Sequence, residues 1–287
     1  MRMRRLGPEG PTVSVVGLGG MLLSISGRPP VDQALRVIKS ALDSGINLLD
    51  TSDAYCLDDQ EVGHNEKLLT RAVEGQRDEV TILTTVGIRR PGGAWTVDSS
   101  AAYLRSSVER SLKTQLVDAL DVALLYGLDS RIPYEESVGA LEQLRQEGKI
   151  KAIGVCNVDA DLLRRAESVG RISVVQNRWN PQAREIEKSG VLERCTETGM
   201  AFVAYQPFGG TLGAPTLTTL GKLSDQARRR RLSPYQLVLA WMANKAPTTF
   251  VVAGARRPES IEDSAGAGAV EFDTDAIRAV ENTLPQP

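Results

Sequence analysis

An eight-stranded β/α barrel, the (β/α)8 or TIM barrel of the α/β class, is the fold this 287-residue chain predicts. Three observations carry that expectation. Eight short apolar runs recur at residues 15–18, 46–49, 80–83, 120–125, 152–155, 173–175, 201–204 and 249–252, and unbroken runs of this kind mark strands covered on both faces. Most are followed by a longer segment with an apolar stripe at helical spacing, as the crossovers of parallel strands require. No Gly-x-Gly-x-x-Gly follows the first run, which disfavours the rival arrangement, a doubly wound sheet. The alternation has no linker or low-complexity tract, so residues 1–287 read as one domain.

Taken in order, residues 3–6 and 12–14 flank a Gly-Pro-Glu-Gly-Pro segment and read as a hairpin placed to cap the barrel floor. In the first helix Ala34, Val37, Ile38, Ala41 and Leu42 share one face, and Gly45 stops it. Similar segments cover residues 65–73, 101–116, 133–147, 159–169 and 233–246. His64 or Asn65 falls near the cap of the first of these, which argues against a catalytic role for the chain's single histidine. The basic run from Arg228 to Arg231 reads as the solvated end of a helix before Ser233-Pro234.

A net charge of -2 gives no bulk attraction for polyanions, so nucleic acid is not expected as a partner. No stretch approaches the roughly 18 apolar residues of a spanning helix. Met1-Arg2-Met3-Arg4-Arg5 leads into Leu6-Gly7-Pro8 rather than an apolar signal core, so a cytoplasmic protein without membrane contact is expected. Cys56, Cys156 and Cys195 are too few and scattered for a disulfide framework or a zinc site. Cys56, Asp58, Asp59 and His64 match no usual ligand spacing, and no metal is expected.

The polar cluster Asp50-Thr51-Ser52-Asp53-Ala54-Tyr55 sits where the second strand ends, on the rim that carries catalysis in β/α barrels. Seven motifs in order then bring a family into view. They are Val16-Gly17-Leu18-Gly19-Gly20, the run from Gly45 through Asp50-Thr51 with Tyr55, and Asn65-Glu66-Lys67-Leu68-Leu69. Next come Gly148-Lys149-Ile150-Lys151-Ala152-Ile153-Gly154-Val155-Cys156-Asn157 and Val175-Gln176-Asn177-Arg178-Trp179-Asn180-Pro181. Ala204-Tyr205-Gln206-Pro207-Phe208-Gly209 and Gly254-Ala255-Arg256-Arg257-Pro258-Glu259 complete the set. Nearly the whole chain resembles an aldo-keto reductase, and residues 53–66 resemble a bacterial subgroup of that family.

The resemblance implies NADPH-dependent carbonyl reduction by a tetrad of Asp, Tyr, Lys and His around the nicotinamide. Asp50 and Tyr55 match two members, but Thr85 stands in the lysine's place and Tyr126 in the histidine's. In the family mechanism the lysine makes the phenol a usable acid; a cation about 4 Å away at a dielectric near 20 is worth about 4 kcal/mol, or roughly three pKa units. Without it Tyr55 is expected to stay a neutral donor, and a buried Asp50 to hold its proton and serve as an acid.

The cofactor residues implied by the resemblance are better preserved. Asn157 and Gln176 match the carboxamide positions, and Trp179 the aromatic on the nicotinamide face. Residues 206–212, with Gln206, Phe208, Gly209 and Leu212, match the pyrophosphate loop. Gly254 lies in the motif that carries Arg257, matched to the 2'-phosphate, while Asp263 and Ser264 replace a Glu-Asn pair at adenine. NADPH is expected rather than NADH, because guanidinium suits a phosphate monoester.

The expected function is an NADPH-dependent oxidoreductase with an atypical centre, reducing an activated C=N, C=C or C=O group of a small molecule. The alternatives are a non-redox lyase or isomerase using Asp50, Tyr55 and Tyr126, and a catalytically silent NADPH-binding barrel. Rim loops 88–98 and 129–133 shape the pocket, with Trp95 as the loop aromatic to line it. The pattern sets no oligomeric state.

Overall fold

The N-terminal hairpin forms, β1 (Met3–Arg5) pairing antiparallel with β2 (Thr12–Ser14). In this computed structural model, which describes residues 1–285 without the side chains of residues 211 and 212, β3 (Val16–Gly19), β4 (Leu48–Ser52) and β5 (Thr81–Val86) follow. A small antiparallel pair, β6 (Ile88–Arg89) and β7 (Thr96–Val97), precedes β8 (Leu120–Tyr126), β9 (Ile150–Cys156), β10 (Ile172–Arg178), β11 (Ala201–Tyr205) and β12 (Thr249–Gly254). The barrel is closed and parallel, running β3-β4-β5-β8-β9-β10-β11-β12 and back to β3.

Helices cover the outside: α1 (Val31–Asp43), α2 (His64–Ala72), α3 (Ala101–Gln115), α4 (Tyr134–Gln146), α5 (Ala160–Glu167) and α6 (Val191–Thr198). After a short α7 (Gly210–Gly213) come α8 (Gly221–Arg229), α9 (Pro234–Lys245), α10 (Pro258–Gly266) and α11 (Thr274–Glu281). α9 opens on a capping box, Ser233 with Gln236, and Pro234 occupies its first turn, where the missing N–H leaves no hydrogen bond unmade. α2 begins one residue earlier than expected. Gly63, at φ 83°, is its cap, and His64 Nδ1 meets Ser24 Oγ at 2.9 Å.

Residue alternation divides the strands' side chains between two cores. Val16, Leu18, Leu49, Ile82, Val155 and Val175 face the helices. Leu48, Leu83, Val122, Leu124, Val174, Val203 and Val252 fill the barrel, joined by Leu6 and Val13 of the hairpin. The hairpin therefore plugs the barrel floor, and full burial of Leu6 contributes about 2 kcal/mol. A Cβ at Gly10 would lie 1.8 Å from the Leu6 carbonyl oxygen, so the turn that delivers Leu6 admits only glycine there.

The strands run further toward the barrel mouth than their apolar stretches suggest. β4 continues to Ser52, β5 to Val86 and β10 to Arg178. Hydrophobicity marks only the stretch inside the core, whereas the backbone ladder continues to the rim, where the inward side chains are polar. This extension puts Asp50, Thr85, Tyr126 and Gln176 on strands rather than in loops.

Candidate active site at the barrel mouth

Two positions above the core residues Leu48 and Val174, the same inward faces of β4 and β10 carry Asp50 and Gln176. Gln176 Nε2 donates to Asp50 Oδ2 at 2.8 Å, and the Tyr55 hydroxyl donates to Asp50 Oδ1 at 3.4 Å. Asp50 is 5% exposed. Burial pushes its carboxyl up to about 7, and the two hydrogen bonds only partly oppose this. No cation is among the groups acting on it. Tyr55 is driven well above the ordinary phenol value by burial first and the Asp50 charge second. At neutral pH the pair is thus a neutral phenol beside a carboxyl near its midpoint.

Around this pair lie Thr85 from β5, Tyr126 from β8, Cys156 from β9 and Tyr205 from β11. Thr85 Oγ1 is buried beside the Cys156 thiol with no oxygen or nitrogen partner. The half-buried Tyr126 hydroxyl makes no hydrogen bond among the described residues, and burial raises its pKa. Tyr205 donates to Asn157 Oδ1 at 2.7 Å and is pushed up to about 12, mainly by burial.

The ends of β3 and β4 are tied together behind the site. Gly20 N donates to the Asp50 carbonyl at 2.9 Å, and a Cβ on Gly20 would come within 2.3 Å of Asn65 Oδ1. Asn65 in turn accepts from Thr51 Oγ1 and donates to the Gly20 carbonyl, each at 2.8 Å. The Tyr55 loop is anchored by Asp53, 1% exposed, whose Oδ2 accepts from Ser107 Oγ at 2.9 Å and Arg110 Nη2 at 2.8 Å. Nearby Glu66, wholly buried, is raised to about 7 by desolvation and then by the Asp53 charge.

On the rim, Trp95 sits edge-on to Tyr55 at a 6.5 Å centroid distance, and the Arg90 guanidinium lies 4.0 Å from the centroid of its indole. Arg90 Nη2 is held by the Leu57 carbonyl at 2.9 Å, yet Trp95 keeps 45% of its surface exposed. His64 binds Ser24 and makes no hydrogen bond to Asp50 or Tyr55.

The site sits in a chain whose residues 15–284 match the family model of the aldo/keto reductase family. The chain belongs to that family. It is 29% identical over 311 aligned residues to a probable aldo-keto reductase 1 of Glycine max, covering 98% of this chain and 88% of the plant protein. A thermostable aldo-keto reductase solved with the inhibitor epalrestat is 25% identical, with a TM-score of 0.84 and coverage of 99% of this chain and 100% of that one. The Klebsiella pneumoniae aldo/keto reductase solved with NADP and acetate is 24% identical, with a TM-score of 0.82 over 99% of this chain and 96% of that one, a likeness of fold. Aldo/keto reductases are NADP-dependent oxidoreductases, and this chain is an enzyme of that type.

Several residues expected at the cofactor lie at or just after the ends of β9, β11 and β12. Asn157 follows β9 in the left-handed region at φ 56°, exposed, its N–H on the Gln176 carbonyl at 3.0 Å. Gln206 (φ 52°) and Gly209 (φ 76°) shape the loop after β11, where Phe208 packs edge-on to Tyr235 at 5.1 Å. A Cβ on Gly213 would strike the Phe208 carbonyl oxygen at 2.5 Å, so the loop is drawn tight across the rim. Gly254 ends β12 under Leu22, and Arg257 caps α10. The exposed Arg257 guanidinium makes no ion pair or hydrogen bond among the described residues. The Leu212 side chain lies outside the described residues.

One expectation is corrected. Trp179 cannot stack on a nicotinamide at the mouth, because it follows Val175 and Asn177 on the outward face of β10 and is fully buried. Its indole packs on Phe202 and Trp241 at 6.0 and 5.1 Å and donates to Glu187 Oε1 at 3.1 Å. From β11 an aromatic ring does face the mouth, that of Tyr205, as the alternation Ala201, Val203, Tyr205 signals. The Asp263 carboxylate, expected at adenine, accepts from Ser233 Oγ at 2.7 Å through one of its oxygens, at the cap of α9. Ser264 Oγ likewise turns to the Ser260 carbonyl at 3.0 Å.

Proposed function

We propose that this reductase transfers hydride from NADPH to an activated C=N, C=C or C=O group of a small molecule, with Asp50 and Tyr55 supplying the proton in place of a lysine-assisted tyrosine. The observation carrying this reading is the Asp50 carboxyl at about 7, hydrogen-bonded to Tyr55 and Gln176 with no cation acting on it. The residues present suit the cofactor: the tight glycine loop after β11 suits a pyrophosphate, the unpaired Arg257 a 2'-phosphate, and Tyr205 with Asn157 a nicotinamide.

Bound NADPH supplies the hydride. Tyr55 gives its hydroxyl proton to the substrate oxygen or nitrogen as negative charge develops there. A phenolate without a neighbouring cation is costly, so Asp50 in its acid form returns a proton to Tyr55 in the same event and becomes the carboxylate that Gln176 already contacts. Asp50 then regains a proton from solvent. Substrates that arrive already protonated, such as iminium ions, need none of this help, which general-acid catalysis otherwise makes worth about 10² to 10⁴ in rate. Trp95, standing over Tyr55, offers an exposed aromatic wall for such a substrate.

The test is a fluorescence titration of the protein with NADPH and NADH, followed by turnover of a cyclic imine, an activated enone and an aldehyde. Tighter binding of NADPH and faster turnover of the imine or enone than of the aldehyde are expected. Bound cofactor with no oxidation by any of the three acceptors would remove the reductase reading, and turnover without nicotinamide would replace it with a lyase or isomerase.

A further inference from the structure

Arg178 ends β10 on the inward face. Val174 lies in the barrel core and Gln176 reaches Asp50, so Arg178, two positions further along the same face, stands one layer closer to solvent at the mouth. It is directly opposite Tyr205 in the β10–β11 register, and its charge favours ionisation of that phenol. Neighbouring rim arginines are otherwise engaged. Arg28 pairs with Glu61 at 2.7 Å, Arg89 with Asp98 at 3.3 Å and Arg131 with Asp129 at 2.7 Å, while Arg90 is held by Leu57 and Trp95. Arg178 makes no ion pair or hydrogen bond among the described residues and is exposed. With Tyr126, whose hydroxyl also lacks a partner, it gives the mouth two unfilled donors above a site that otherwise presents an acid.

We propose that Arg178 anchors an anionic oxygen group, a carboxylate or a phosphate, brought to the barrel mouth beside Tyr205. A guanidinium offers paired N–H donors matched to either group, and none of its donors is used among the described residues. The anion has two possible sources, an acid group on the substrate or the phosphates of the cofactor. The proposal rests on the reductase reading for its placement at the reacting end of the barrel, but binding alone tests it.

The experiment compares wild-type protein with Arg178→Gln and Arg178→Lys. Calorimetry on the NADP⁺-loaded protein measures binding of benzoylformate and of its methyl ester, and tryptophan fluorescence measures the affinity for NADPH and NADH. If the substrate brings the anion, Arg178→Gln weakens benzoylformate about ten- to hundredfold, the loss expected for a hydrogen bond to a charged group, leaves the ester and both cofactors unchanged, and is partly rescued in Arg178→Lys. If the cofactor brings it, NADPH and NADH both weaken by a similar factor while the acid and ester keep their ratio. Equal binding of all four ligands to wild type and Arg178→Gln overturns the proposal. Failure of the reductase reading shows separately, as bound cofactor with no NADPH oxidation by the imine, the enone or the aldehyde in wild type.

Discussion

Gln176 and Asp50, 126 positions apart in sequence, meet across the barrel mouth at 2.8 Å, the Gln176 amide donating to a carboxylate with no cation acting on it. The two strands that carry them are built from apolar residues below this level, so the pair forms the first polar layer above the core. That position accounts for the raised Asp50 pKa.

Asp50 should make the fold less stable as pH rises. Its carboxyl titrates at about 7 when folded against 3.8 as an ordinary group, so between those values the folded chain holds a proton that the unfolded chain has released. Stability from this group is therefore complete below the lower value and is lost as pH rises through the upper one. The difference corresponds to about 4 kcal/mol as an upper bound. Asp50→Asn should gain stability over wild type at pH 8 and little at pH 4 in urea unfolding; an equal gain at both would contradict the assignment. Glu66, also near 7, leaves a residual slope of the same sign in the variant.

The same titration should appear in the rate. Reduction of a neutral aldehyde should fall as pH rises through about 7, because Asp50 then lacks the proton that restores Tyr55. Gln176→Leu removes one of the two hydrogen bonds that lower the Asp50 pKa, so the break should move to higher pH. Asp50→Asn should abolish it. A preformed iminium acceptor should show no such break in wild type. A break that persists in Asp50→Asn would assign the titration to another group.

These expectations could be formed only in part from the sequence. The eight apolar runs marked the barrel because core burial and hydrophobicity coincide there. They could not mark where β4 and β10 end, because the last inward residues of each strand, Asp50 and Ser52 on β4 and Gln176 and Arg178 on β10, are polar. The resemblance puts Trp179 against the nicotinamide face, but its direction is decided by strand parity, which sends it to Phe202 and Trp241. Tyr205 was legible by the same parity. Whether Asp263 faced solvent or Ser233 depended on α9 and α10 packing together, which no local pattern encodes.

Restoring a cation should restore generic carbonyl chemistry. Thr85 is buried beside Cys156 on the strand next to Asp50 and Ser52, and its hydroxyl has no oxygen or nitrogen partner to lose. Thr85→Lys combined with Tyr126→His should raise aldehyde kcat/KM about 10²-fold or more. It should also flatten the dependence of stability on pH, since a lysine lowers the Asp50 pKa. If the stability change appears without the gain in rate, pocket shape rather than the missing charge limits the reaction.

Arg257 should set the preference between the two nicotinamide cofactors. Its guanidinium is exposed at the start of α10, so Arg257→Ala removes no hydrogen bond or ion pair among the described residues. NADPH affinity should fall about ten- to hundredfold, the cost of a lost hydrogen bond to a charged group, with NADH affinity unchanged. Equal losses for both cofactors, measured by fluorescence titration, would move Arg257 away from the 2'-phosphate.

Arg110 should matter through Asp53 rather than through any contact with substrate. Asp53 is 1% exposed and depends on Arg110 and Ser107 for its charge, while its backbone carbonyl accepts from Gly63 N at 2.7 Å, closing the loop that carries Tyr55. Arg110→Ala leaves that carboxylate buried beside Glu66 without its cation. Removing one member of a fully buried pair costs about 3–5 kcal/mol, and about 2–3 kcal/mol is expected here because the Arg110 side chain is 37% exposed. Asp53→Asn in the same background should recover part of the loss, since an amide needs no counterion and can keep the Ser107 hydrogen bond. Chemical unfolding of both single variants and the double variant reads this directly. If the double variant is no more stable than Arg110→Ala alone, Arg110 supports the loop by packing on Tyr103, whose ring lies 5.4 Å from its guanidinium, rather than by neutralising Asp53.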